Sequence, residues 1–176
     1  MSLSLAISIL ILISTTTLSS PSHASIETTC MAVANSSPNV NYDFCLTSLQ
    51  ADPQSRHADT KGLAVISTNL SSVNATATKA KIPKLVAKVK DQDTKEILKT
   101  CLSVYKDLLD NLKESLSAIQ SESYSDAITY LSAALAQPET CEDSFSERSV
   151  ESLLAKEDKD VGGLTEIALA ITSSLK

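Results

Sequence analysis

The sequence predicts an all-α protein, an up-down-up-down four-helix bundle preceded by an N-terminal helical hairpin and fastened by two disulfides. Three observations carry this expectation. Aromatic residues make up only 3% of the 176 residues, Trp is absent and apolar residues reach 43%, which suits helices packed through aliphatic side chains better than sheets rich in aromatic residues and Gly turns. Apolar positions recur at spacings of three and four along four separate stretches, the signature of amphipathic helices. The chain also carries four Cys and only three Gly, and its length suits one core rather than two.

The N-terminus reads as a leader. Met1 to Ser20 has no charged side chain, and Leu5 to Ile13 is a nine-residue apolar run interrupted only by Ser8, shorter than the roughly 20 residues a membrane-spanning helix needs. Ser22 and Ala24 place small residues at the −3 and −1 positions of a cleavage after Ala24. The basic residue that usually precedes such a run is missing. The expectation is a signal peptide over residues 1–24, secretion to the extracellular space or apoplast, and no membrane association after cleavage.

Secretion decides how Cys30, Cys45, Cys101 and Cys141 are read. An even number in an oxidising compartment implies two disulfides with three possible connectivities. There is no C-x-x-C, and His57 is the one histidine beyond the leader, so a metal site or a thiol oxidoreductase has almost no ligands to be built from. No cofactor is expected. The same context gives meaning to three Asn-X-Ser/Thr sequences, at Asn35, Asn69 and Asn74, as candidate glycosylation sites.

Residues 25–57 form the hairpin. Helices over Ile26 to Asn35 and Tyr42 to Leu49 are separated by Ser36-Ser37-Pro38-Asn39, which disfavours helix. Cys30 lies in the first and Cys45 in the second. Asp52-Pro53 ends the second helix, because the residue before Pro is pushed out of the α region.

Residues 58–176 form the bundle. From Asp59, the stripe Leu63, Ile66, Leu70, Val73, Ala77 and Ala80 marks an inward face, and Pro83 predicts a kink or a break. Asp91 to Asp93 is the turn into a second helix, Thr94 to Ile119, with Ile97, Cys101, Val104, Leu108, Leu112, Leu116 and Ile119 inward. After a short turn at Gln120 to Glu122, Ser123 or Ser125 caps a third helix bearing Tyr124, Ile128, Leu131 and Leu135. That face continues to Cys141 and Phe145 if the helix bends rather than stops at Pro138. A fourth helix over about Val161 to Leu175 turns Leu164, Ile167, Ile171 and Leu175 inward, its first turn weakened by Gly162-Gly163. Cys101 and Cys141 stand equally far before and after position 121, so an antiparallel pair of helices places them level. That geometry favours Cys101 with Cys141, leaving Cys30 with Cys45.

Function is first bounded by what is missing. A net charge of −6 argues against a nucleic-acid partner, whose phosphates are held by Lys and Arg. No nucleophile elbow, zinc-protease helix or Gly-rich phosphate loop is present, so the chain is not expected to be an enzyme. His57 reads as a solvated connector residue. The acidic pairs Glu142-Asp143 and Glu157-Asp158 read as solvated helix faces, and Tyr42, Phe44 and the Tyr124 to Leu135 stripe as core.

The runs SPNVNYDFCLTSLQADP, GLAVISTNL, TCLSVY and YLSAALAQPETCEDSF, with their four Cys, resemble the plant invertase and pectin methylesterase inhibitor family across nearly the whole chain beyond the leader. The resemblance implies the same hairpin-plus-bundle fold and the pairings Cys30–Cys45 and Cys101–Cys141. It further implies a secreted inhibitor that occludes a plant carbohydrate-active enzyme by one-to-one binding, either invertase (beta-fructofuranosidase) or pectin methylesterase. In the invertase branch of the family, a Pro-Lys-Phe motif between the second and third bundle helices enters the enzyme's cleft. The matching positions here are Glu122, Ser123 and Tyr124, the candidate target-contact loop. Only the aromatic character is kept, and a Glu facing catalytic carboxylates repels. In the pectin methylesterase branch, helical faces supply the contacts.

The alternative is a non-inhibitory extracellular binding or carrier protein, or a pollen allergen, on the same scaffold. A carrier needs a continuous apolar cavity, whereas the small residues Ala77, Ala80, Ala127 and Ala134 predict close helix packing. A pI near 4.9 leaves the protein nearly uncharged in an acidic wall, so affinity for a partner would come from shape and buried contacts more than from long-range attraction.

Overall fold

Short polar side chains start four of the six helices by accepting a hydrogen bond from an otherwise orphaned backbone N–H. The computed structural model describes residues 25–176; the expected leader, 1–24, lies outside the described residues. Ser25 caps α1 (Ile26–Ser36), Asn41 caps α2 (Tyr42–Gln50), Asp59 caps α3 (Thr60–Lys88) and Asp91 caps α4 (Gln92–Gln120). A 3-10 turn over Pro53–His57, capped by Asp52, links α2 to α3. Two further helices, α5 (Tyr124–Ser146) and α6 (Ala155–Ser173), complete the chain, and no strand occurs among the described residues. Ser123 does occupy the N-cap position of α5, but its side chain makes no capping bond.

Helices α3 to α6 stand in a ring in which α3 meets α4, α4 meets α5, α5 meets α6 and α6 returns to α3. The hairpin of α1 and α2 lies against α6 and α3. Cys30 pairs with Cys45, joining α1 to α2, and Cys101 pairs with Cys141, joining α4 to α5 with a Cα separation of 4.8 Å. Both pairings agree with the sequence reading. Leu63, Leu98, Leu108, Leu112, Leu131 and Phe145 anchor one core shared by the bundle.

Of the two outcomes expected at Pro83, a break does not occur: helix α3 runs through it to Lys88, with Pro83 exposed. Helix α5 continues through Pro138, so its inward face reaches Cys141 and Phe145. Two expectations need correction. First, α6 begins at Ala155, six residues before the expected start, so Gly162 and Gly163 are interior rather than at its first turn. The reason at Gly163 is contact with the hairpin: a Cβ there would lie 2.8 Å from Phe44 Cε1. Ser37 adds a 2.7 Å hydrogen bond to Glu166 Oε1 beside it. Phe44 is accordingly half-buried at this seam, and Tyr42 too is half-buried at the edge of the core rather than filling it.

Second, the inward face of α3 is not the apolar stripe. Leu63 and Ile66 are buried, but Val73 is 66% exposed, Ala77 and Ala80 face outward and Leu70 is half-buried. The buried row continues instead through Ser67, Ser71, Ala75, Thr78 and Ile82. Ser67, Thr68 and Thr78 donate their hydroxyls to the carbonyl four residues back, which removes most of the cost of burying them. Ser71 Oγ meets Thr165 Oγ1 of α6 at 2.7 Å. Small hydroxyl residues thus bring α3 and α6 close, while Ala127 and Ala134 do the same for α5.

Candidate functional site

The loop matched to the family's inhibitory motif is built by the end of α4. Ser123 donates its backbone N–H to Ala118 O at 2.9 Å and Glu122 to Ile119 O at 3.1 Å, the paired bonds of a Schellman cap. Glu122 therefore takes φ 63°, a position usually given to Gly because a Cβ is strained there. Its carboxylate accepts a 2.8 Å hydrogen bond from Lys61 Nζ in the first turn of α3, and the same ammonium donates to Gln120 O at 3.2 Å. The hydrogen bond to Glu122 holds the Lys61 ammonium above its ordinary pKa. Glu122 is thus a tether across the end of the bundle, and its charge is partly offset by Lys61. Ser123 is exposed and Tyr124 half-buried at the first turn of α5, so the aromatic ring does not stand free of the bundle.

Of the other residues singled out, Asn35 and Asn69 are exposed and distant in sequence from the loop, and Asn74 is half-buried with its amide donated to Leu70 O at 2.9 Å. His57 is exposed in the connector, as expected.

Sequence reasoning missed a polar cluster inside the bundle. Asp158, expected on a solvated face, is only 3% exposed. Tyr105 of α4, fully buried, donates its hydroxyl to Asp158 Oδ1 at 2.5 Å. Glu142 of α5 is half-buried and accepts from Ser152 Oγ at 2.5 Å. Burial, and then the neighbouring Glu142, push the Asp158 carboxyl up to about 8. Burial and the adjacent Asp158 also push the Tyr105 hydroxyl up. The available signal was positional: Leu154, Asp158, Val161, Thr165, Ala168 and Thr172 follow the spacing of one buried helix face.

Ligand atoms of Cys141, Glu142 and Asp158 lie within 4.8 Å of one another. The Cys141 sulfur is committed to the disulfide, and two carboxylates do not make a cation cage, since hard divalent ions ask for six or more oxygens. Beside this cluster, a solvent-open groove of about 980 Å³ runs between α2, α5 and α6. Phe44, Leu135 and Pro138 give it apolar walls, and Glu139, Glu142, Lys159 and Glu166 place charges along it. It is not the continuous apolar cavity a lipid carrier requires. No helix among the described residues is long and apolar enough to cross a membrane.

Comparison with known proteins agrees with this architecture. Residues 24–171 match the family described as plant invertase/pectin methylesterase inhibitor. The chain is 41% identical to the "Putative invertase inhibitor" of Platanus orientalis over 85% of its own length and 89% of that protein. It is 32% identical to the "Pectinesterase inhibitor" of Actinidia deliciosa, covering 77% of this chain and 74% of that one. Among solved structures, a mutant form of a pectin methylesterase inhibitor from Arabidopsis superposes with a TM-score of 0.72 at 26% identity, over 88% of this chain and 99% of that one. These relatives are inhibitors of enzymes rather than enzymes, and with the hairpin, the four-helix ring and both disulfides in place, the chain belongs to the plant invertase/pectin methylesterase inhibitor family.

Proposed function

We propose that this protein is a secreted inhibitor that blocks a plant invertase or pectin methylesterase by one-to-one binding. The observation that carries the reading is the family match over 24–171, nearly all of the chain beyond the expected leader. Residues 25–176 act as one inhibitor domain in which 25–57 is the hairpin and 58–176 the bundle. Two disulfides support an extracellular, apoplastic site of action after removal of 1–24. Exposure of Asn35 and Asn69 supports them as glycan acceptors, and Asn74, whose amide is engaged by Leu70, is the weakest of the three.

The choice of target turns on the end of the bundle. Insertion of Glu122, Ser123 and Tyr124 into an invertase cleft would require Glu122 to approach acidic catalytic groups and to leave Lys61. Both steps are unfavourable. Contact through helical faces, as in the pectin methylesterase branch, carries neither cost, and for that reason pectin methylesterase is the preferred target. Inhibition assays against both enzymes with the unaltered protein, Tyr124→Ala and Glu122→Ala test this. Unchanged inhibition of pectin methylesterase by both variants is the expected result. Loss of invertase inhibition on Tyr124→Ala would instead place the loop in an invertase cleft, and no inhibition of either enzyme by the unaltered protein would overturn the inhibitor reading.

A further inference from the structure

We propose that Asp158 and Glu142 form a carboxyl–carboxylate pair sharing one proton, a clasp between α6 and α5 that is closed while the proton is held and releases the first turns of α6 when it is lost. The starting observation is an orphan. Asp158 is more than nine-tenths buried and Oδ1 accepts from Tyr105, yet Oδ2 has no hydrogen-bond partner. A buried carboxylate oxygen left so is costly, whereas a protonated one is a donor in need of an acceptor. Glu142 is the group placed to accept it: a carboxylate oxygen lies within 4.8 Å of an Asp158 oxygen, a hydrogen bond between the two side chains favours the protonated Asp158, and Glu142 Oε1 also accepts from Ser152.

The surroundings offer little to settle a second negative charge at the buried Asp158. From α4 the nearest polar group is the Tyr105 hydroxyl, and from α3 it is Thr78, which faces that hydroxyl. On α6 itself Glu157 adds a further negative charge. The cations close by are engaged elsewhere: Lys81 of α3 with Glu157 at 2.7 Å, and Lys156 with Asp160 at 2.5 Å. Phe44 of α2 and Pro138 of α5 border the groove without charge, and Lys159 and Glu139 stand along it. The raised pKa of Asp158 agrees with this arrangement, since burial and a like charge both favour the protonated form. On deprotonation the proton leaves to solvent and two carboxylates face each other at the floor of the groove. Their repulsion acts on α6 near its first turn, which carries no side-chain cap, so the groove wall between α5 and α6 loosens there. The clasp is independent of which enzyme, if any, the protein inhibits.

The test is a pH titration of side-chain carboxyl carbons by NMR in the protein with both disulfides formed, alongside Glu142→Gln and Asp158→Asn. Asp158 is expected to titrate well above the ordinary carboxyl range. In Glu142→Gln, removal of the like charge should lower its proton affinity by about tenfold or more. Hydrogen exchange, corrected for the intrinsic effect of pH, should show α6 amides near Asp158 losing protection above that transition in the unaltered protein, but not in Asp158→Asn. Asp158 titrating in the ordinary carboxyl range would overturn the proposal, and so would α6 protection that is equal on both sides of the transition. Both of these readings come from the unaltered protein and stand even if a variant fails to fold.

Discussion

Replacing Asp158 by Asn is expected to flatten the dependence of stability on pH. In the folded protein the Asp158 carboxyl is raised to about 8 from an ordinary value of 3.8. As pH rises from about 4, the unfolded chain therefore loses this proton while the folded one keeps it. The resulting stabilisation is fully present below the unfolded value, falls as pH rises, and is gone once pH passes the folded value. One proton held only by the folded state is worth about 1.4 kcal/mol per pH unit, so between pH 5 and pH 7 this residue alone removes about 3 kcal/mol. Asp158 is buried enough that solvent screening takes little from this figure. Asn keeps an oxygen for the Tyr105 hydroxyl and offers an N–H towards Glu142, but it does not titrate. Denaturant unfolding at pH 5 and pH 7 reads the effect directly. The unaltered protein should lose about 3 kcal/mol more than Asp158→Asn over that interval, with background changes from surface groups common to both. Parallel pH dependences would refute the reasoning, because they would mean that Asp158 is already ionised in the folded state.

Three further outcomes are expected. Removing Cys101–Cys141, which closes 40 residues, should cost about 4 kcal/mol, and removing Cys30–Cys45, which closes 15, about 3 kcal/mol; paired Cys→Ala variants in a denaturant series measure both. Thr165→Val should cost about 1–2 kcal/mol by stranding the buried Ser71 hydroxyl, Ser71→Ala should cost less because Thr165 still donates to Val161 O, and the double variant should cost less than their sum, a coupling that a double-mutant cycle reads. Gly163→Leu should push Phe44 off α6, which limited proteolysis would show as faster cleavage in α1 and α2 with the bundle unchanged; a hairpin as resistant as before would show that Phe44 does not depend on that close approach.

What the sequence made legible was the part governed by local rules. The spacing along α4 is local, and the symmetry of Cys101 and Cys141 about one turn fixed their partnership once the helices were antiparallel; the caps at Asn41, Asp59 and Asp91 obey equally local rules but were not anticipated, while the one cap expected, at Ser123, makes no capping bond. The errors arose where a residue's side depends on its neighbours in space. Val73 falls on the apolar stripe, yet Ser71 is the buried residue, since its hydroxyl finds Thr165 across the helix interface. Carboxylates are rarely buried, so Asp158 reads as solvent-facing, and only the fold brings Tyr105 to it. Gly162-Gly163 looked like a weak helix start because Phe44, far away in sequence, supplies the reason for Gly163. The candidate loop was located by family resemblance, but its left-handed cap at Glu122 and the tether to Lys61 are tertiary features. They change what that loop can do.

The central claim is inhibition by one-to-one binding, and the most direct measurement is a titration of the oxidised protein against fixed concentrations of an acid invertase and, in parallel, a pectin methylesterase from one plant. A linear fall in the activity of pectin methylesterase, or of invertase, that breaks at equal molar amounts is the predicted result. Full activity of both enzymes in the presence of a molar excess of the protein would contradict it.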